Sequence, residues 1–179
     1  GESAAPPNAP LSLDVFAEDA RRALDAVDCP RAHVFGFSLG GAAGLHLAHQ
    51  TPDRVERLAL FQSAAQWRPA QVTQMQTRLS LDALRAHSPD RADRLQARHA
   101  HPERLFRQLR AFVETLPAAS DALMNALPEI STPTLVGAVD RDPLFDLDDA
   151  RALHAHLPNA RLAVLPGERH SLAQVPLDS

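Results

Sequence analysis

The sequence predicts an α/β fold, in which a parallel β-sheet is flanked by helices. Short apolar segments of strand type alternate along the chain with segments of helical period, the order that builds parallel βαβ units. The segment at 33–37 is a short apolar run between breaking residues, as expected for a buried parallel strand. Of the 179 residues, 45% are hydrophobic and 22% are charged, which is the balance of an ordinary globular chain with a sizeable core.

The first part of the chain is predicted as helix, strand, helix and strand. The first helix begins after Ser12, whose side chain can cap it. Its apolar residues recur at the helical period and are Leu13, Phe16, Ala17, Ala20, Leu24 and Val27. A strand at 33–37, a helix at 39–49 and a strand at 55–61 follow. Residues 1–10, dense in Pro and Ala, are predicted as a loop.

The middle of the chain, residues 64–128, contains only helical patterns. Breaks between helices are predicted at Pro89, Pro102 and Pro117. One clear apolar face is formed by Phe106, Leu109, Phe112, Val113 and Leu116. This block is therefore predicted as a helical insertion into the sheet-forming part of the chain.

Strands return after the helical block. They are predicted at 134–139 and 161–165, with a helix at 148–157 between them. The predicted organisation is a first part of the core at 1–63, the helical insertion at 64–128, and a second part of the core at 129–179.

A G-x-S-x-G motif, Gly36-Phe37-Ser38-Leu39-Gly40, lies between a predicted strand and a predicted helix. A sharp turn there exposes Ser38 at a helix N-terminus, and side chains at Gly36 or Gly40 are expected to collide with backbone. The N–H of Leu39 is expected to donate to an oxyanion. The alternative is a glycine-rich turn that binds phosphate in another doubly wound fold.

A serine nucleophile needs a base and an acid that orients the base. Asp140 and Asp142 follow one predicted strand, and His170 follows the last one. Because the carboxyl ends of parallel strands meet at one edge of a sheet, these side chains are expected to converge on Ser38.

Three segments of the chain resemble the α/β-hydrolase family. They are the run from Val34 to Leu60 with Pro52-Asp53-Arg54-Val55, the run from Pro133 to Phe145, and the run from Ala160 to Leu172. The resemblance implies that Ser38 is the nucleophile, His170 the base and Asp142 the acid, in the chain order of this fold. It also implies that the helical block is the family's variable cap.

Two positions depart from the family pattern around the acid. Val139 stands where the family usually has glycine, and Asp146 stands where it often has proline. Asp140 therefore remains the alternative acid.

The resemblance also implies that strands are missing ahead of the motif. Gly1-Glu2-Ser3 resembles the tail of the family's G-x-G-x-S loop, and only one helix fits between it and the elbow strand. The second oxyanion donor of the family comes from that missing region, and losing one donor costs about 10² to 10³ in rate. This segment alone is therefore expected to be weakly active or inactive, with an exposed edge on the elbow strand.

The expected reaction is acyl transfer to water from a small ester, lactone or related carbonyl substrate, without cofactor or metal. An acyltransferase of the same fold is one alternative, because water and a bound alcohol compete for the same acyl-enzyme. A non-catalytic binding protein or an inactive fragment is the other. Substitution of Ser38 by alanine separates these classes, because it abolishes turnover in an enzyme and spares ligand binding in a binding module.

Other functions are disfavoured by composition. The formal net charge of −4 gives no pull on nucleic acid, and no apolar run reaches the roughly 20 residues that span a bilayer. Cytoplasm is the default location, and the oligomeric state stays open. The nine histidines lack metal-site spacing, and Cys29 lacks a nucleophile's context. Trp67, Phe106 and Phe112 fit a pocket lining and plain packing equally well.

Overall fold

A four-stranded parallel sheet forms the centre of the computed structural model, which describes residues 10–166 and His170. The strands are β1 (Ala32–Phe37), β2 (Val55–Phe61), β3 (Thr134–Val139) and β4 (Ala160–Leu165). They lie in the order β1-β2-β3-β4, and each neighbouring pair is parallel. The predicted α/β fold with a parallel, helix-flanked sheet is confirmed.

Seven α-helices accompany these strands in the described residues. They are α1 (Leu13–Ala26), α2 (Leu39–Gln50), α3 (Pro69–Arg78), α4 (Leu81–His87), α5 (Pro89–Arg98), α6 (Pro102–Ala126) and α7 (Leu147–His156). Pro89 and Pro102 begin helices, as predicted. The break predicted at Pro117 is wrong, because α6 continues through it. A proline costs the helix one hydrogen bond, but the buried side chains of Val113 and Leu116 just before it hold the helix by packing.

The chain divides into two compact units. One holds Trp67–Ala119, with α3, α4, α5 and most of α6. The other holds Leu13–Gln66 and the described residues from Ser120 onward, with all four strands and α1, α2 and α7. β2 and β3 are neighbours in the sheet although residues 62–133 separate them along the chain.

Helix α2 covers one face of β1 and β2. The contact is close because Gly44 faces the sheet: a Cβ there would lie 3.1 Å from Leu58 Cδ1 and 3.6 Å from Val34 Cγ1. Leu45 of α2 and Leu58 and Leu60 of β2 are almost completely buried. This packing fixes the position at which β1 ends and α2 begins.

The opposite face of the sheet is open to solvent at two large apolar side chains of the described structure. Phe35 of β1 is 60% exposed and Leu135 of β3 is 47% exposed. A shallow depression of about 920 Å³ lies over these residues, with Arg57 and Arg161 at its sides. β1 is an edge strand of the described sheet. Of the helices described between residues 10 and 166, none is both long and apolar enough to cross a membrane.

Candidate active site

Ser38 occupies the turn between β1 and α2. Its backbone has φ 54° and ψ −124°, a left-handed conformation that a residue with a side chain rarely adopts. The turn is held on both sides, because Ser38 N–H donates to Phe61 O at 3.0 Å and Gly41 N–H donates to Ser38 O at 2.9 Å. The predicted sharp elbow is therefore present, with the Ser38 side chain at the start of α2.

The glycines of the motif serve different purposes. A Cβ on Gly36 would lie 2.6 Å from Gly40 O and 2.6 Å from Gly41 Cα, so this position admits no side chain without movement of the backbone. At Gly40 the expected collision is wrong: a Cβ would meet no described atom within 4 Å, because the residue faces outward from the first turn of α2. Gly41 is the second tight position, since a Cβ there would collide with Ser63.

The turn after β3 presents Asp142, whose side chain is only 1% exposed. Its Oδ1 accepts hydrogen bonds from the backbone N–H of Leu144 at 2.8 Å and of Phe145 at 3.1 Å. Its Oδ2 lies 2.7 Å from His170 Nδ1. The alternative acid, Asp140, is exposed, and the imidazole's carboxylate partner is Asp142.

His170 joins the acid to the serine. Its Nε2 lies 3.1 Å from Ser38 Oγ. With Nδ1–H donating to the carboxylate, Nε2 is left to accept the serine proton. Pro166 and His170 are described, whereas the rest of the predicted histidine loop, 167–169 and 171–172, lies outside the described residues. The structure thus brings Ser38, Asp142 and His170 together within the sheet-containing unit.

Asp146, which departs from the family pattern, has a structural role of its own. Its Oδ1 accepts from the N–H groups of Asp148 at 3.0 Å and Asp149 at 3.1 Å, while its own N–H donates to Asp149 Oδ2 at 3.1 Å. This reciprocal capping box begins α7. An aspartate therefore stabilises the end of the acid turn by starting the next helix.

Leu39 is the first residue of α2. The first N–H groups of a helix have no acceptor within it, so they can donate to an anion placed there. Gly1-Glu2-Ser3, which resembles the tail of the family's G-x-G-x-S loop, lies outside the described residues.

The histidines weighed as metal ligands do not converge. In the part of the chain that the structure describes, no group of three or more His, Cys, Asp or Glu side chains could hold a metal ion. His46 Nδ1 lies 3.3 Å from Asp14 Oδ1, and burial lowers the pKa of His46 while Asp14 opposes that shift. His49 Nδ1 lies 3.8 Å from Glu129. Cys29 donates from Sγ to its neighbour's carbonyl, Arg31 O, at 3.1 Å.

Two aromatic residues beside the histidine were not singled out from the sequence. The rings of Phe37 and Phe145 both contact the His170 imidazole. Phe37 occupies a variable position of the G-x-S-x-G motif, and Phe145 ends the Asp-x-Asp-Pro-Leu-Phe segment. Their positions in the sequence, beside the motif residues, were the signal that could have identified them.

Comparison with known proteins agrees with the fold. A family model described as alpha/beta hydrolase fold matches residues 1–123. A protein of Caulobacter sp. (strain K31) that carries the name of a carbamate hydrolase, RutD, is 28% identical over 95% of this chain and 70% of its own length. The 3-oxoadipate enol-lactonase 2 of Acinetobacter baylyi is 27% identical over 95% of this chain and 68% of its own.

A solved structure is also similar to this chain. The crystal structure of a hydrolase from Pseudomonas aeruginosa PA01 is 30% identical, with a TM-score of 0.68 over 95% of this chain and 69% of that one. The chain thus spans 62 to 70% of the length of the first curated relatives that it matches.

Proposed function

Because the chain belongs to the α/β-hydrolase fold family, we propose that it hydrolyses small carbonyl substrates, such as esters or lactones, through an acyl-enzyme on Ser38. The observation that carries the proposal is the continuous hydrogen-bond chain from Ser38 Oγ through the His170 ring to the buried Asp142 carboxylate. The names of the relatives add support, since an enol-lactonase and a carbamate hydrolase both act at an acyl carbon bearing a heteroatom.

Each member of the chain has a role in this reaction. His170 Nε2 removes the Ser38 proton as Oγ attacks the carbonyl carbon, and the carbonyl oxygen becomes an oxyanion. Leu39 N–H, at the positive end of α2, donates to that oxyanion. His170 then gives its proton to the leaving oxygen, and the acyl-enzyme forms. A water deprotonated by His170 releases the acid and restores Ser38.

Asp142 holds the histidine in the required tautomer. Two backbone N–H groups fix its Oδ1, which leaves Oδ2 directed at His170 Nδ1–H. The negative charge also stabilises the imidazolium that forms while Ser38 attacks. The acid turn therefore orients the base without taking its proton.

The test is covalent labelling of the parent chain with a fluorophosphonate, followed by intact-protein mass. One adduct that is absent from Ser38→Ala is expected, because only a serine beside a base is activated. Ser131→Ala, at an exposed serine outside the site, is the matched control and should label like the parent. A parent chain that stays unlabelled, or a Ser38→Ala variant that labels equally, would contradict the proposal.

Hydrolysis is then measured with p-nitrophenyl acetate and a simple lactone. The expected products are free acids, and turnover should vanish in Ser38→Ala. Repeating the ester reaction with an added primary alcohol separates water from an alcohol as the acyl acceptor. A transferred ester as the main product would replace the hydrolase proposal with an acyltransferase.

A further inference from the structure

The His170 imidazole is contacted by two phenylalanine rings in addition to its hydrogen-bond partners. The Phe37 ring centroid lies 5.0 Å from the imidazole centroid, with 35° between the planes. The Phe145 ring lies at 5.5 Å, with 46° between the planes. Both distances fall within the range of favourable aromatic contacts.

We propose that Phe37 and Phe145 are positioning residues that hold the His170 ring in line between Ser38 and Asp142 and stabilise its protonated form. The inference rests on the proposed function, because it assigns these rings to the base of that reaction. Both rings contact the histidine, so their proposed effect on the reaction is exerted through it.

The need for such support follows from the geometry of the hydrogen bonds. The bond from Nδ1 to Asp142 fixes one corner of the imidazole, but rotation about that bond would carry Nε2 away from Ser38 Oγ. Ring contacts elsewhere on the imidazole remove this freedom. A reacting pair displaced by about 1 Å loses on the order of 10² in rate, so small rotations matter.

The two phenylalanines are themselves firmly placed. Phe145 is 3% exposed, and its backbone N–H donates to Asp142. Phe37 pairs in register with Phe61 of β2, and their ring centroids lie 6.5 Å apart in a stacked arrangement. Phe61 in turn stands over Gly137, where any Cβ would collide with its ring. The place of Phe37 is therefore set by its strand, and the place of Phe145 by the turn that holds Asp142.

The same contacts favour the transition state over the resting state. A cation within about 6 Å of an aromatic ring is attracted by the ring's negative face, and the imidazole becomes cationic when it takes the Ser38 proton. Asp142 is the charged group that hydrogen-bonds the imidazole, and the other charged residues of its turn are Asp140, Arg141 and Asp146. All four stay unchanged in the variants below.

The test compares Phe37→Leu and Phe145→Leu with the parent chain, using Phe61→Leu as the matched control. Leucine keeps an apolar side chain but removes the π face. We expect each of the first two variants to lower kcat for p-nitrophenyl acetate by about two- to five-fold, with KM unchanged. The acidic limb of the pH–rate profile should move toward lower pH, because the protonated imidazole loses a stabilising contact.

Phe61→Leu and Phe37→Tyr separate positioning from packing. Phe61 touches Phe37 but has no ring contact with His170 among the described residues, so its variant should lower Tm without moving the pH limb. Phe37→Tyr keeps the π face and should retain the parent's kcat and pH profile. If the leucine variants at Phe37 and Phe145 lower Tm alone, or if Phe61→Leu moves the pH limb equally, the inference is wrong.

A spectroscopic measurement keeps the inference testable without turnover. The Nδ1–H proton of His170 should give a low-field ¹H signal in the parent chain, identified by its loss in Asp142→Asn. We expect this signal to broaden or vanish in Phe37→Leu and Phe145→Leu and to persist in Phe61→Leu. A parent that fails to label overturns the proposed function, whereas a signal unchanged in all three leucine variants overturns the positioning role.

Discussion

Ser38 combines an unfavourable backbone with a reactive side chain. A left-handed φ at a residue with a side chain costs of the order of 1–3 kcal/mol, and the surroundings must impose it. Here the hydrogen bonds to Phe61 O and from Gly41 N–H impose it, together with the close approach of Gly36 to Gly40. The elbow is therefore set by backbone contacts in which a single added methyl group matters.

Gly36→Ala is expected to distort the elbow. The new Cβ would lie 2.6 Å from the Gly40 carbonyl oxygen, so the backbone must move and Ser38 must move with it. We expect ester hydrolysis to fall by at least about 10²-fold, since displacements near 1 Å have that effect. Gly40→Ala is the matched control, because a Cβ there meets no described atom outside its own helix within 4 Å. Equal activity of the two variants would refute this account of the turn.

Asp142→Asn is expected to lower kcat by roughly 10⁴-fold, because an amide in place of the carboxylate favours the wrong histidine tautomer. Asp140→Asn, at the exposed acid two residues earlier, should change kcat by less than a few-fold. Steady-state kinetics of both variants decide between the two acids. A larger loss in Asp140→Asn would transfer the role to Asp140.

The sequence was informative about individual residues where chemistry restricts the residue type. Ser38, Asp142 and His170 were predictable as candidates because each follows a strand end in a required order. The Phe37 and Phe145 contacts were not, because a motif treats these positions as variable and periodicity says nothing about which loop side chains meet. The expected clash at Gly40 failed for a similar reason, since only coordinates show which side of a helix a glycine faces.

Secondary structure was predictable where the local signals and the packing agree. β2 and β3 have the predicted bounds. β3 is an apolar run that follows Pro133, and β2 follows Pro52 and is apolar from Leu58 onward. Pro117 shows the opposite case. A proline is expected to end a helix because its nitrogen cannot donate a hydrogen bond. In α6, the burial of Val113 and Leu116 just before Pro117 outweighs that missing hydrogen bond, and the helix continues. Such packing involves distant residues and lies outside any short sequence window.

The contact between α1 and α2 is expected to make stability depend on pH. Burial lowers the pKa of His46 on α2, so the unfolded chain binds a proton more readily than the folded one. The folded state is therefore favoured above the unfolded pKa of about 6.5 and loses stability as the pH falls from there toward the lowered folded value.

Urea unfolding of the parent and His46→Gln between pH 7.5 and 5 measures this effect. The free energy of unfolding should fall less steeply in the variant, which has no proton to gain. His33→Gln, at an exposed histidine on β1, should keep the parent's slope. A His46→Gln slope equal to that of the parent would contradict the assignment.

The open face of the sheet is expected to promote association between copies of the chain in solution. An edge strand and exposed apolar side chains on one face favour association between copies. We expect the apparent mass in light scattering to rise with protein concentration. Phe35→Glu should reduce that rise, because it places a charge on the exposed face. Val27→Glu, at a residue 71% exposed beyond the end of α1, is the matched control and should leave the rise unchanged.

The pairing of β2 with β3 across residues 62–133 also has consequences for folding. The entropy lost in closing a chain segment grows only with the logarithm of its length, so halving this connection would recover about 0.6 kcal/mol. Native-state thermodynamics therefore tolerates wide variation in the helical segment. The long connection instead slows folding, because pairings between residues far apart in sequence form slowly. During synthesis, β1 and β2 are complete long before β3 leaves the ribosome. A chaperone that shields the edge of β2 that later pairs with β3 would therefore raise the yield of folded chain.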